Sequence, residues 1–127
     1  METKIRIIKS IFTEMRVKNT TKKALLAENA KICASIFSKA LGLMFSKKIT
    51  PLIFIFKKEK IIPLHMFFVF YPIDVLFLDK NKIVAEVKES FKPFSFYTPN
   101  RRAMYVIELQ KGIVKKTKTQ VGDKIQF

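Results

Sequence analysis

The sequence predicts an α+β chain that is mostly β: a compact antiparallel sheet or a small, partly closed barrel, with one or two short helices. Three observations predict it. Short apolar runs rich in Ile, Val, Phe and Tyr recur along the chain between turn residues. Thirteen phenylalanines and no tryptophan favour dense β-type packing. Ser35–Phe45 is the best helix candidate, its apolar residues repeating at three and four. At 127 residues the chain fits one domain, 1–127, with residues 1–12 as a frayed or appended N-terminal segment. An apolar content of 49% is enough for a core and argues against a disordered chain.

The N-terminus mixes Lys4, Arg6 and Lys9 with Ile5, Ile7, Ile8, Ile11 and Phe12. It lacks the long apolar stretch and small-residue cleavage site of a signal peptide. It reads as a packed or frayed terminus, with a membrane-surface anchor as the alternative. Thr13–Lys18 is strand-like and ends at the turn Asn19-Thr20-Thr21. Ala24–Cys33 reads from its residues either as a strand pair or as a helix. In Ser35–Phe45, Ser35 caps the helix, Ile36, Phe37, Ala40, Leu41 and Met44 share one face, and Gly42 marks the end.

Pro51 opens the apolar strand Leu52–Phe56, and Lys57–Lys60 forms a charged turn. Leu64–Tyr71 and Ile73–Asp79 are strands separated by a Tyr71-Pro72 bend. Pro63 and Pro72 would break a helix here, and Asp74 would be costly in lipid, so Ile61–Leu78 is not an integral membrane segment and the expected compartment is cytoplasmic. Lys80-Asn81 is a hairpin turn into Lys82–Lys88, with Ile83, Ala85 and Val87 facing one way and Val84, Glu86 and Lys88 the other. Ser90–Asn100 is an irregular, aromatic loop, and Ala103–Gln110 is a strand ended by Lys111-Gly112. Ile113–Thr119 is helical or turn-like, and the turn Val121–Lys124 leads to a last strand, Lys124–Phe127.

The net charge is +15, from 25 Lys and Arg against 10 Asp and Glu. It implies either an anionic partner or a Lys-rich composition that serves solubility, and such a surface also suits a thermophile. Three glycines cannot build a Gly-rich phosphate loop, and one cysteine with one histidine cannot build a metal set, so no cofactor and no metal are expected. Cys33 reads as a small buried apolar residue; as a nucleophile, its only conventional base would be His65.

The order of elements resembles a known family. Gly42-Leu43-Met44 precedes the strand Leu52–Phe56; then come Met66, the Pro72-Ile73-Asp74 step, and Leu78-Asp79. Ile83-Val84, Pro93, Tyr105–Leu109 with Glu108, Gly112 and Gly122-Asp123 complete the series. From Ala24 to Phe127 this resembles the small proteins of domain of unknown function 192, in its archaeal branch. The resemblance implies a compact β-rich domain with two short helices, favours strand for Ala24–Cys33, and implies no enzyme activity. Bacterial members of that family carry a Trp-Met-Lys-Asn-Thr run where this chain reads His65-Met66-Phe67-Phe68-Val69. Ligand contacts made by those Lys and Asn groups do not carry over.

Four residues form the candidate pocket: His65, Met66, Asp74 and Glu108. His65 and Asp74 would approach each other if their strands pair across the Tyr71-Pro72 bend, either as a general base with its carboxylate or as a hydrogen bond that pins the turn. Glu108 shares a strand face with Met104 and Val106; it either pairs with Arg101 or Arg102 or lines the same pocket as Asp74. Arg101 and Arg102, near Tyr97, Phe94 and Phe96, are the best anion-binding candidates, with Lys115 and Lys116 a second basic cluster. The opposing reading makes those phenylalanines core. Asp123 is a turn residue. The leading expectation is a small non-enzymatic binding module for an anionic ligand. A nucleic-acid-binding protein is the alternative, followed by a hydrolase or lyase using His65 with Asp74 or Glu108.

Overall fold

The computed structural model describes residues 14–33, 50–66 and 70–127. The predicted helix at Ser35–Phe45 and the N-terminal segment 1–12 lie outside the described residues. Among the described residues nine strands follow one another: β1 (Glu14–Asn19), β2 (Ala24–Cys33), β3 (Leu52–Lys60), β4 (Leu64–His65), β5 (Ile73–Leu78), β6 (Val84–Phe91), β7 (Phe96–Tyr97), β8 (Ala103–Gln110) and β9 (Ile125–Gln126). One described helix, α1 (Ile113–Thr117), sits between β8 and β9. None of the described helices is long and apolar enough to cross a membrane.

Seven strands form one sheet in the order β6-β5-β8-β3-β2-β1-β9, and β4 pairs β7 as a separate ribbon. All pairings are antiparallel except β2 with β3. Residues 34–51 supply the length that a parallel connection needs. The two ends of the sheet order then meet. Ile83 bridges Lys124, the Val84 amide donates to the Asp123 carbonyl, and the Ile125 amide donates to the Lys82 carbonyl, both at 2.9 Å. The sheet therefore curls until its first and last strands touch, leaving little free edge.

Alternation along the strands separates two apolar clusters. Val17, Leu26, Ala30, Ile53, Leu76, Leu78, Val84, Ile107, Leu109 and Ile125 fill the inside of the curl, with Val114 of α1 entering from one end. Leu52, Phe54, Val75, Phe77, Val106 and Phe91 form the outer cluster, together with Ile62 and Met66. Leu64, Tyr71 and Tyr97 pack against that outer cluster, so the β4–β7 ribbon roofs it. All six residues of β5 are buried because it has a core on both faces. Each of its five apolar side chains contributes about 1.5–3 kcal/mol.

Several local expectations change. Ala24–Cys33 is a single ten-residue strand. Lys57–Lys60 is not a turn; β3 runs on through it, with a bulge between Ile55 and Lys60 against β8. The Leu64–Tyr71 strand is reduced to Leu64–His65 among the described residues, and it pairs with Phe96-Tyr97 rather than with β5. The loop at Ser90–Asn100 contains the end of β6 and all of β7. The alternation across Lys82–Lys88 is broken: Phe77 faces Glu86 while Leu78 faces Val84, so Ala85 is an extra residue. That bulge turns both Val84 and Val87 toward the inner cluster, which strict period-two counting cannot foresee.

Candidate functional site

Asp74 is buried on the inner face of β5, opposite Leu109 of β8. Its carboxylate accepts three backbone N–H groups: Ser90 on Oδ1, and Gly112 and Val114 on Oδ2, all at 3.0 Å. Ser90 sits at a bulge of β6 with φ 50°, and Gly112 takes φ 93° at the start of α1. That left-handed conformation strains any residue with a Cβ, which is the physical reason for glycine there. One carboxylate thus holds a strained bulge and the first turn of the helical plug. It is not bonded to His65, which corrects the expected pair. The reason is topological: β5 pairs with β6 and β8, whereas β4 pairs with β7.

His65 lies exposed on β4, between Leu64 and Met66, which both pack into the outer cluster. Met66 is 1% exposed in that cluster. Glu108 lies between Leu52 of β3 and Val75 of β5, on the outer face, as its expected face-sharing with Val106 requires. It is buried, its Oε2 has no hydrogen-bond partner among the described residues, and burial pushes its pKa to about 8. The expected ion pair with Arg101 or Arg102 is absent among the described residues, because both arginines lie exposed beyond the start of β8. Of the four predicted pocket residues, Met66 and Glu108 share the outer face, Asp74 belongs to the inner one, and His65 is exposed on β4. Two surface hollows among the described residues, of about 480 and 440 Å³, are lined by none of the four.

The basic residues divide as well. Lys115 and Lys116 lie exposed on α1, just past the C-terminal end of β8, while Arg101 and Arg102 precede its N-terminal end. Eight extended residues separate the two groups by roughly 25 Å, so they do not form one site. Arg101 and Arg102 instead join a group that was not anticipated. Lys60 pairs with Ala103, which brings the bulged end of β3, with Lys57, Lys58 and Lys60 exposed, beside the arginines. The β5–β6 turn adds exposed Lys80, whose amide donates to Glu59 Oε2 at 2.8 Å. These six cations make no ion pair among the described residues. The acids at this end are turned to backbone amides: Asp79 to Asn81 and Ile83, Glu86 to Asn100 and Arg101. A basic run read as a turn, together with a register that only the sheet sets, is why sequence reasoning missed the group.

Glu86 also accepts a short hydrogen bond from the Tyr97 hydroxyl. That bond, then burial and the Glu86 charge, push Tyr97 up to about 12, so it stays protonated. Tyr97 packs on Phe77 and Phe91 at 6.0 and 6.2 Å, and Lys88 lies over its ring at 5.1 Å. Tyr97 is therefore part of the roof. Phe94 and Phe96 are not core, since they are 54% and 70% exposed.

A last polar group closes the curl. Asn19 is fully buried and its amide donates to Thr119 Oγ1 at 3.0 Å and Asp123 Oδ2 at 2.9 Å. Lys22 Nζ reaches both Asp123 oxygens, at 2.9 and 3.1 Å, and the Gln120 amide donates to Oδ2 at 3.0 Å. Burial pushes Asp123 upward, but the bonds from Asn19, Lys22 and Gln120 and the Lys22 charge outweigh it and hold the carboxyl below the usual range. Asp123 is thus the centre of a buried network as well as a turn residue. Among the described residues no cluster of His, Cys, Asp and Glu is arranged to hold a metal.

A curled seven-stranded sheet with a helical plug and a roofing ribbon defines a small β-barrel-like class of protein. Within it, the model of domain of unknown function 192, described as "Uncharacterized ACR", matches residues 16–127, and the chain belongs to that family. A UPF0127 protein of Pyrococcus horikoshii is 39% identical over 86% of this chain and 96% of its own length. One from Pyrococcus furiosus is 34% identical over 86% and 95%. A solved structure from Sinorhizobium meliloti 1021, described as a "putative transcription regulator", superposes with a TM-score of 0.82 at 21% identity. It covers 91% of this chain and 94% of its own. A protein of unknown function from Novosphingobium aromaticivorans gives 0.79 at 17% identity, over 91% and 85%. These two share the fold.

Proposed function

We propose that the chain is a binding module for an anionic partner, engaged through the end that carries Lys57, Lys58, Lys60, Lys80, Arg101 and Arg102. The observation that carries the reading is the β3–β8 register, which places a lysine run beside an arginine pair with none of the six side chains in an ion pair among the described residues. Exposed cations held close together raise the local potential and draw in polyanions, whereas scattered lysines do not. A hydrolase or lyase reading requires His65 to meet Asp74 or Glu108 in one reachable cleft. Instead Asp74 lies in the inner core and Glu108 in the outer one, while His65 belongs to the exposed part of β4.

Labelled heparin tests the proposal by anisotropy across a salt series. Wild-type protein is expected to bind at low salt, with affinity falling steeply as salt rises. Charge reversal at Lys57, Lys58, Arg101 and Arg102 should weaken binding at least tenfold and flatten the salt slope. The same reversal at Lys115 and Lys116, on the far side of β8, should change it little. Equal losses from both sets, or no binding at low salt, would overturn the reading.

A further inference from the structure

The outward face of the β4–β7 ribbon has properties that packing does not require. Phe70, Phe94 and Phe96 are 64%, 54% and 70% exposed, although most large rings in a chain of this size are taken into a core. Phe94 meets Phe70 edge-to-face, at 5.7 Å and 70°. Its backbone is held at φ 57°, a region costly for a bulky residue, by a 2.7 Å bond from its amide to the Met66 carbonyl. Phe96 lies opposite His65 across the ribbon, and both are on the exposed face.

We propose that this aromatic face stacks the bases of a single-stranded nucleic acid whose phosphates run along the basic end. The inference rests on the anion-binding reading above and names its partner. Two observations join the faces. Arg101 is five positions after Phe96, a span of at most roughly 17 Å. Glu86 fixes their relation, since one of its oxygens takes the Tyr97 hydroxyl and the other takes the Asn100 and Arg101 amides. Aromatic faces beside a cationic track are the two components that bind single strands without reading sequence. An anionic membrane offers the same charge, but the rings are interrupted by exposed His65, Lys92 and Thr98. These polar groups would lose their water in an acyl layer and keep it beside stacked bases.

The test uses the full chain with four probes: a labelled oligothymidylate, its duplex of equal length, labelled heparin, and phosphatidylglycerol vesicles. Wild-type protein should bind the single strand more tightly than the duplex at matched salt. Phe94→Ala and Phe96→Ala should each weaken the single strand roughly tenfold, with the salt slope and heparin binding unchanged. Both rings are more than half exposed, so their truncation removes little core packing. Phe96→Trp should retain affinity and place the only tryptophan of the chain at the platform, where bound bases quench its fluorescence. Equal binding of single strand and duplex, or ring variants that bind like wild type, would overturn the platform while heparin binding keeps the basic end. Ring-dependent binding to vesicles without ring-dependent binding to oligothymidylate would assign the face to a membrane instead. Loss of heparin binding as well would remove the underlying reading.

Discussion

At Glu108 a carboxyl group is enclosed between Leu52 and Val75, with Oε2 unbonded among the described residues. Water solvates a carboxylate far better than this outer core does, so the proton is retained to about pH 8. The consequence for stability has a definite sign. Between the ordinary value of 4.5 and about 8, the folded chain binds a proton that the unfolded chain has released. The pH-dependent penalty of Glu108 is therefore absent below pH 4.5 and grows as pH rises, reaching on the order of 5 kcal/mol above pH 8. Glu108→Leu should accordingly be more stable than wild type at pH 9 and gain little at pH 5. Urea unfolding of the two proteins at both pH values measures this, and an equal gain at both would contradict the buried, protonated acid.

Within the elements, strand irregularities decide where side chains go. The extra residue at Ala85 swings Val84 inward, and the bulge at Ser90 exists only with Asp74 accepting its amide. A five-residue helix is too short to be stable alone, so α1 depends on the insertion of Val114 and on Asp74 at its first amides. Asp74→Ala leaves the amides of Ser90, Gly112 and Val114 without their acceptor. It should cost about 3 kcal/mol or more. Hydrogen exchange should show the loss first at Gly112, Val114 and Ser90, with the β3–β8 amides protected for longer. Uniform loss of protection would argue against a local role for the carboxylate.

Over the whole molecule, closure depends on residues far apart in sequence. Asn19 and Asp123 stand 104 positions apart and join the β1 turn to the loop before β9, next to the place where Lys124 bridges Ile83. Because the Asp123 pKa is depressed, its contribution is present at pH values above the unfolded carboxylate range. It is lost as pH falls through the folded value. Asp123→Asn should destabilise the protein at pH 7 by about 2–3 kcal/mol. The gap to wild type should narrow once both melts are taken in strong acid, and thermal unfolding across that range checks it. A gap that widens in acid would reverse the sign.

The sequence by itself determined the class, the family, and most strand positions, because period-two burial and turn chemistry are local properties written residue by residue. It also indicated that Glu108 would lie on the face of Val106. What it could not determine was partnership. Whether Asp74 meets His65 or the amides of α1, whether Lys57–Lys60 turns or runs beside Arg101-Arg102, and whether Phe94 and Phe96 are roof or surface all depend on which strands lie side by side. Those neighbours are set by the closing of the sheet and by its bulges, where one inserted residue reverses a face. Only the tertiary structure decides them, because the free energy that selects a register is shared among contacts distant in the chain.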